Sequence, residues 1–512
     1  MRFDSILFGA GGGDQTAEPP PAPDCLVDLG LDQLVERLNR GREGYRLADF
    51  FHQPLAEPRL IAYRQAVMRD LADDGVHEAL DRFTRTMRQR QREFAQAASM
   101  SHRLQAQRWQ LEAAASYRRA VNELADALHS APLASEGLTS FRHYLGAYVE
   151  SEAFAAFCRA LDAVTEALDA VHYTVAIEDD AVEVQAFAGE ADYLAEIEST
   201  FAGLREAGAV PAEQADHQDT LGVSVLEARI LDYVAALFPD AFDRLAMFCR
   251  DDASYQDPTL VRFEREVAFY LAYRELMTAL EADGVAFCYP ELVTAKGNIR
   301  ARGVADIALA AKLAGGSQAV VTNDFAYEGG ERALVVTGPN QGGKTTFARS
   351  VGQLHYLAAL GLPVPACEAR LLHVDAVLTH FDREEAINEQ QGRLEADLWR
   401  ARAILNRVGP HTLVILNELF QSTQASDAVA LTRRILTRLR DGDALAVCVT
   451  FVPEAVAGDP ASVTMVSTRD PADPEQPAYG VVRRRPGASA HAETLAARHG
   501  LTPQRLARRL SR

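Results

Sequence analysis

Residues 338–346 read Gly-Pro-Asn-Gln-Gly-Gly-Lys-Thr-Thr and follow directly on the apolar run Ala333-Leu-Val-Val336. This G-x-x-x-x-G-K-[ST] pattern at the exit of a strand constrains the chain more than any other stretch. It predicts a phosphate-cradling loop between a buried strand and a helix, and so a nucleotide site. Gly338, Gly342 and Gly343 let the loop curl until successive backbone N–H groups face phosphate oxygens, with Pro339, Asn340 and Gln341 completing the turn. Lys344 supplies the cation for the β- and γ-phosphates, the Thr345 hydroxyl is placed to ligate Mg²⁺, and Thr346 closes the motif. Phe347, Val351, Leu354 and Ala358 recur at helical spacing, so Lys344 to Leu360 is predicted to be a helix that ends at Gly361. Phosphate then meets a helix N-terminus, where the dipole and the unpaired donors favour an anion. The competing reading is a glycine-rich turn that matches by chance; the strand before and the helix after argue against it.

The chain has 512 residues, 48% of them hydrophobic, which is too long for one ordinary domain and predicts two or three. A net charge of −20 argues against coating nucleic acid by bulk charge, so any such contact needs a local basic surface. The cysteines Cys25, Cys158, Cys249, Cys288, Cys367 and Cys448 are scattered, with no C-x-x-C pair, and read as thiols in a reducing compartment. No apolar run approaches the roughly 18 residues that cross a bilayer. The opening Met-Arg-Phe-Asp-Ser-Ile-Leu-Phe does not read as a secretory signal. The expectation is a cytoplasmic protein without membrane contact.

Residues 1–24, with the Gly- and Pro-rich stretch 10–24, read as a flexible lead-in. The region 25–289 looks mostly helical. Leu80 to Ser130 contains no Gly or Pro; as one helix it would extend roughly 75 Å, so it predicts a projecting arm or a helical hairpin. Tyr173–Ile177 and Val182–Val184 flank a polar turn and predict a β-hairpin. After Pro290, apolar runs at 333–336, 376–381, 412–416, 445–451 and 463–467 alternate with helical patterns at 344–360, about 384–407 and 426–440. Such alternation predicts a mostly parallel sheet with ligands at the C-terminal ends of its strands. Residues 486–512 form a basic tail, predicted helical. The fold class expected is α plus α/β: a long-helix half, then a P-loop domain over 290–485.

A second motif falls at such a strand end. Thr412-Leu-Val-Ile-Leu416 runs into Asn417-Glu418, a buried strand delivering two polar side chains at its tip. The first is placed for the Mg²⁺ shell and the second to polarise an attacking water, as in a Walker B motif.

Together these residues resemble the MutS-type ATPase family. Thr337-Gly-Pro-Asn-Gln-Gly-Gly-Lys-Thr-Thr346 is similar to that family's P-loop, and the resemblance extends to Asn323-Asp324, to Leu378–Asp397, to the strand at 412–418 and to Thr423–Asp427. More loosely it takes in Arg59–Gln65 and Tyr289–Leu292. It implies a MutS-like core/lever domain over 25–289, with a short clamp near 172–222, and an ABC-like ATPase domain. It implies no mismatch-recognition or connector domain and no Smr-type nuclease segment. ATP and Mg²⁺ are the implied cofactors, Lys344 and Glu418 the catalytic residues, Thr345 and Asn417 the metal-side residues, and Asn323 a further nucleotide contact.

Three positions depart from the family pattern. Asn417 stands where the resemblance implies Asp and brings no negative charge, which weakens metal binding. Phe451 replaces a His at the tip of the next strand, and Val320 replaces a Phe that stacks on adenine. The resemblance further implies a homodimer in which each copy lends a signature loop to the other's nucleotide. Here Gly392-Arg393-Leu394 takes that place. Arg393 either donates charge to the γ-phosphate across the dimer or pairs with Glu389 or Asp397.

Between Arg82 and Arg108 stand seven arginines and one glutamate. Arg82, Arg85, Arg88 and Arg92 read either as sequence-independent DNA-phosphate contacts or as a solvated helix face. The leading expectation is an ATPase with slow, DNA-dependent turnover that clamps DNA structure, rather than mismatches, as a dimer. The alternative is a nucleotide-gated protein-interaction scaffold with little or no hydrolysis.

Overall fold

The computed structural model describes residues 3–9, 21–178, 181–189, 225–251, 255–381, 393–421, 423–456, 458–469 and 477–484. In chain order the helices are α1 (Cys25–Leu29), α2 (Leu31–Asn39), α3 (Ala48–Phe51), α4 (Pro58–Asp70), α5 (Asp74–Ser99), α6 (Arg103–His129), α7 (Glu136–Val149), α8 (Glu152–Asp169), α9 (Val225–Leu237), α10 (Pro239–Asp251), α11 (Pro258–Ala282), α12 (Ile307–Leu313), α13 (Lys344–Ala359), α14 (Arg393–Leu405) and α15 (Ala425–Asp441). The strands are β1 (Tyr173–Glu178), β2 (Ala181–Ala186), β3 (Glu291–Val293), β4 (Asn298–Val304), β5 (Asn323–Glu328), β6 (Ala333–Thr337), β7 (Glu368–Leu372), β8 (Ala376–His380), β9 (Thr412–Asn417), β10 (Leu445–Val449), β11 (Ser462–Arg469) and β12 (Pro477–Arg483). Among the described residues no helix is long and apolar enough to cross a membrane.

By packing, the described residues divide between two units. One is drawn from Met1–Phe3, Asp73–Pro132 and Ser140–Glu264, the other from Asp4–Ala72, Leu133–Thr139 and Arg265–Arg512. In the first, the Gly- and Pro-free stretch folds as the helical hairpin of the two expected forms, α5 against α6. Val76, Leu80, Phe83, Met87 and Ala97 form a buried stripe on α5, and Leu111, Tyr117, Val121, Leu124 and Leu128 one on α6. A single straight helix would leave both stripes in water; folding back at Met100–His102, where the backbone is extended, covers both. The expected β-hairpin forms as β1 and β2, paired antiparallel from Tyr173↔Ala186 to Glu178↔Ala181.

The second unit holds two sheets. The larger has the order β12-β11-β6-β10-β9-β8, parallel from β11 through β8, with β12 antiparallel at its edge. The smaller, β3-β7-β4-β5, was not expected from sequence. Its strands alternate instead of running apolar: Ile299, Ala301 and Val304 are buried on β4, Phe325 and Tyr327 on β5.

Helices α1–α4, grouped above with the helical half, belong to this second unit because they enclose α13. Gln353 on α13 donates to the Leu29 carbonyl and to Asp306 Oδ1, each at 2.8 Å, and accepts from the Ile307 N–H at 3.0 Å. Tyr356 donates to the Phe51 carbonyl at 2.7 Å, and Arg349 to the Asp28 carbonyl at 2.9 Å. Residues 4–9, counted above with the lead-in, are likewise held. Glu266 accepts from Ser5 Oγ and the Ile6 N–H, and the buried Arg64 donates to the Leu7 carbonyl at 2.9 Å and the Leu360 carbonyl at 3.0 Å. Residues 10–20, Glu389, Gly392 and the tail 486–512 lie outside the described residues, as does most of the segment 172–222 expected as a clamp.

Candidate nucleotide site

The loop leaves β6 at Thr337 and returns as α13, whose N-cap is Gly343. Gly338 (φ +134°) and Gly343 (φ +84°) adopt backbone angles that L side chains rarely take, and Gln341 joins them at φ +61°. A second constraint holds two of the glycines. A Cβ on Gly338 would overlap Ser467 Oγ, and one on Gly342 would lie 2.7 Å from the same atom. On the other side, a Cβ on Gly343 would lie 3.1 Å from the Tyr479 carbonyl oxygen. The loop is therefore gripped from outside by the β11–β12 pair. Neither Ser467 nor Tyr479 carried a role in the sequence reading; Ser467 closes an apolar strand run and Tyr479 lies in no motif.

Lys344 is 5% exposed, and its Nζ donates to the Gly338 carbonyl (2.9 Å), the Pro339 carbonyl (3.3 Å) and Asn340 Oδ1 (3.3 Å). Glu418 Oε1 lies 3.4 Å from the same nitrogen. A buried cation is sustained by this set of acceptors and a carboxylate. Thr345 Oγ1 and Asn417 Oδ1 are 3.2 Å apart. The sheet order explains this meeting. Strand β10 sits between β6 and β9, so the tip of β9 stands one strand from the loop, and the first residues of α13 span the gap. Glu418 follows Asn417 in the left-handed region (φ +55°), its N–H donating to the Val449 carbonyl at 2.9 Å while Gln421 Nε2 donates to Glu418 Oε2. A non-glycine residue in that region costs about 1–3 kcal/mol and persists where surrounding bonds hold it. Phe451, beyond the tip of β10, is 46% exposed.

The other expected residues are spread more widely. Asn323 is engaged with main chain: its Oδ1 accepts from the Val481 N–H at 2.6 Å and its Nδ2 donates to the Tyr479 carbonyl at 3.5 Å. Gln341 is exposed and Thr346 half-buried. Arg393 begins α14. In the first unit, Arg82 pairs with Glu78 and Arg85 with Asp81, both at 2.7 Å and one helical turn apart, Arg88 is half-buried and Arg92 exposed. Burial pushes the thiols of Cys25 and Cys448 up to about 12, so neither is a nucleophile.

Residues 334–457, which span this loop, the β9 tip and the strands between, match the family model for MutS domain V. Over this region the chain is similar to MutS-type ATPases. It is 31% identical over 173 residues to Endonuclease MutS2 of Lactococcus lactis, covering 33% of this chain and 22% of that protein. Endonuclease MutS2 of Thermomicrobium roseum is 34% identical over 181 residues, 35% of this chain and 23% of that one. DNA mismatch repair protein msh3 of Botryotinia fuckeliana is 38% identical over 105 residues, 20% of this chain and 9% of that one. The matched part thus spans less than a quarter of the length of each of these curated relatives. The likeness covers both the loop and the β9 tip.

Proposed function

We propose that this MutS-type chain binds and slowly hydrolyses ATP, and that as a homodimer it couples the nucleotide to the gripping of DNA, with branched duplex favoured over mismatches. The observation that carries this reading is the meeting of Thr345, Asn417, Lys344 and Glu418 at the N-terminus of α13. Thr345 Oγ1 and Asn417 Oδ1 are hard oxygen donors, a set that fits Mg²⁺, which takes few protein ligands and keeps several waters. Bound there, the ion would neutralise charge on the phosphate oxygens. Lys344 and the loop N–H groups hold the triphosphate, and Glu418 orients a water and accepts its proton. Asn417 orients without adding charge, which makes turnover slow. Arg393 would serve the partner's γ-phosphate.

Exposed Arg92, with Arg82, Arg85 and Arg88 on the same helix, would contact DNA phosphates in a salt-sensitive manner. The six free cysteines suit a cytoplasmic setting. Steady-state hydrolysis with and without branched DNA, at two salt concentrations, tests the reading. Turnover stimulated by DNA should vanish in Glu418→Gln, and Lys344→Ala should lose ATP binding. ATP binding without turnover in the unaltered protein would instead support the nucleotide-gated scaffold. That second reading is favoured by neutral Asn417 and by the exposed apolar Phe451 at the tip of β10.

A further inference from the structure

The edge strand β12 brings one aromatic residue to the phosphate loop, and three observations converge on it. The main chain of Tyr479 lies against Gly343: its carbonyl oxygen and Cα are 3.1 and 3.3 Å from the place of a Cβ on that glycine, at the N-terminus of α13. That main chain is fixed from the other side by Asn323, which donates to the Tyr479 carbonyl and accepts from the Val481 N–H. Yet Tyr479 is 51% exposed, and its φ of +56° is a conformation that costs free energy for any residue with a Cβ. A strained backbone, tied on two sides, thus leaves a large ring at the surface beside the anion site.

The order of the sheet gives the ring its place relative to the chemistry. Asn417 and Glu418, which mark the metal and γ-phosphate end, stand at the tip of β9, on the β10 side of β6. A triphosphate laid across the loop from that end points its nucleoside toward the opposite side, where β11 and β12 lie. Exposed Phe451 follows β10 and so stands on the γ-phosphate side.

We infer that Tyr479 is the residue on which the base of the bound nucleotide stacks. This rests on the nucleotide reading above and extends it to the base. Stacking on a π-face is tolerant of base identity, so the site would take purine nucleotides broadly and favour any of them over the bare phosphate chain.

The test is calorimetric binding of Mg-ATP and of Mg-tripolyphosphate to the full chain, in the unaltered protein and in Tyr479→Ala, Tyr479→Phe and Phe451→Ala. Tyr479→Ala should weaken ATP about tenfold while leaving tripolyphosphate within twofold, and Tyr479→Phe should restore ATP binding. Retained tripolyphosphate binding reports that the loop is intact, so a folding defect cannot mimic this result. Equal weakening of both ligands in Tyr479→Ala overturns the inference, since it assigns the residue to the loop main chain alone. An unchanged ATP affinity in Tyr479→Ala, or a loss confined to Phe451→Ala, overturns it as well. If the unaltered protein binds neither ligand, the nucleotide reading fails and this inference fails with it; if it binds both, only the inference is at stake.

Discussion

Gly352 lies in the middle of α13, where helix propensity and packing make opposite demands. Alanine is favoured over glycine inside a helix by about 1 kcal/mol, so propensity alone predicts that Gly352→Ala stabilises. The surroundings predict the reverse. A Cβ there would overlap Ile415 Cδ1 and come within 2.5 Å of Leu29 Cδ2. Both neighbours are fully buried, so neither can swing into solvent. Overpacking of this kind costs about 1–3 kcal/mol, and with two overlaps we take the upper half of that range. The net expectation is a loss of about 1–2 kcal/mol, read as a lower urea midpoint at unchanged m-value.

Ile415→Val removes the overlapping methyl. Alone it should cost about 1 kcal/mol; in the Gly352→Ala background it should cost less or restore stability, a coupling of about 1 kcal/mol. Because Ile415 is two residues before Asn417 on β9, displacing it should also weaken nucleotide binding through the Thr345–Asn417 contact. A Gly352→Ala protein more stable than its parent, or a strictly additive double variant, would refute the packing argument.

Three further outcomes can be measured. Arg64→Met leaves the buried carbonyls of Leu7 and Leu360 without their donor, and at about 1–3 kcal/mol each this should lower stability by about 2–6 kcal/mol, with faster proteolysis within residues 4–9 as the local readout. Burial lowers His355 from its usual 6.5 to about 4, so between those values the unfolded chain binds more protons than the folded one; stability should fall as pH drops from about 6.5 toward 4, by about 3 kcal/mol in all. His355→Leu should lose that share of the slope, and identical pH dependence in both proteins would show that His355 is not buried neutral. Asn417→Asp places a negative charge beside Thr345 Oγ1 and should reduce the Mg²⁺ needed for half-maximal ATP binding by about tenfold in a magnesium titration; no change would mean that the ion is not held there.

The loop and the β9 tip were legible because they are written locally: an apolar run, then residues whose backbone or chemistry the turn demands. The order of the P-loop elements followed from the same alternation. What escaped the sequence was non-local. The break at Met100–His102 carries no Gly or Pro, and only the mutual burial of two stripes explains it. Strands β4 and β5 hide because polar or small residues alternate with Ile299, Ala301, Phe325 and Tyr327. Helices α1–α4 have apolar faces that do not say what they cover, so their place around α13 could not be read. Asn323 is expected from sequence to contact nucleotide, but the sequence could not reveal that its amide is bonded to the backbone of β12. Ser467 and Tyr479 act by proximity to glycines more than a hundred residues earlier, which no spacing rule encodes.

The clasp on residues 4–9 has a bearing on biosynthesis. Ser5 leaves the ribosome 261 residues ahead of Glu266, the carboxylate that receives its hydroxyl, and Arg64 awaits the Leu360 carbonyl, 296 residues behind it. Contacts so distant along the chain form late and slowly. Residues 4–9 therefore lack their Glu266 partner while residues 10–265 are being made, within reach of chaperones, and Arg64, which also holds Leu7, finds the Leu360 carbonyl only once α13 has been synthesised.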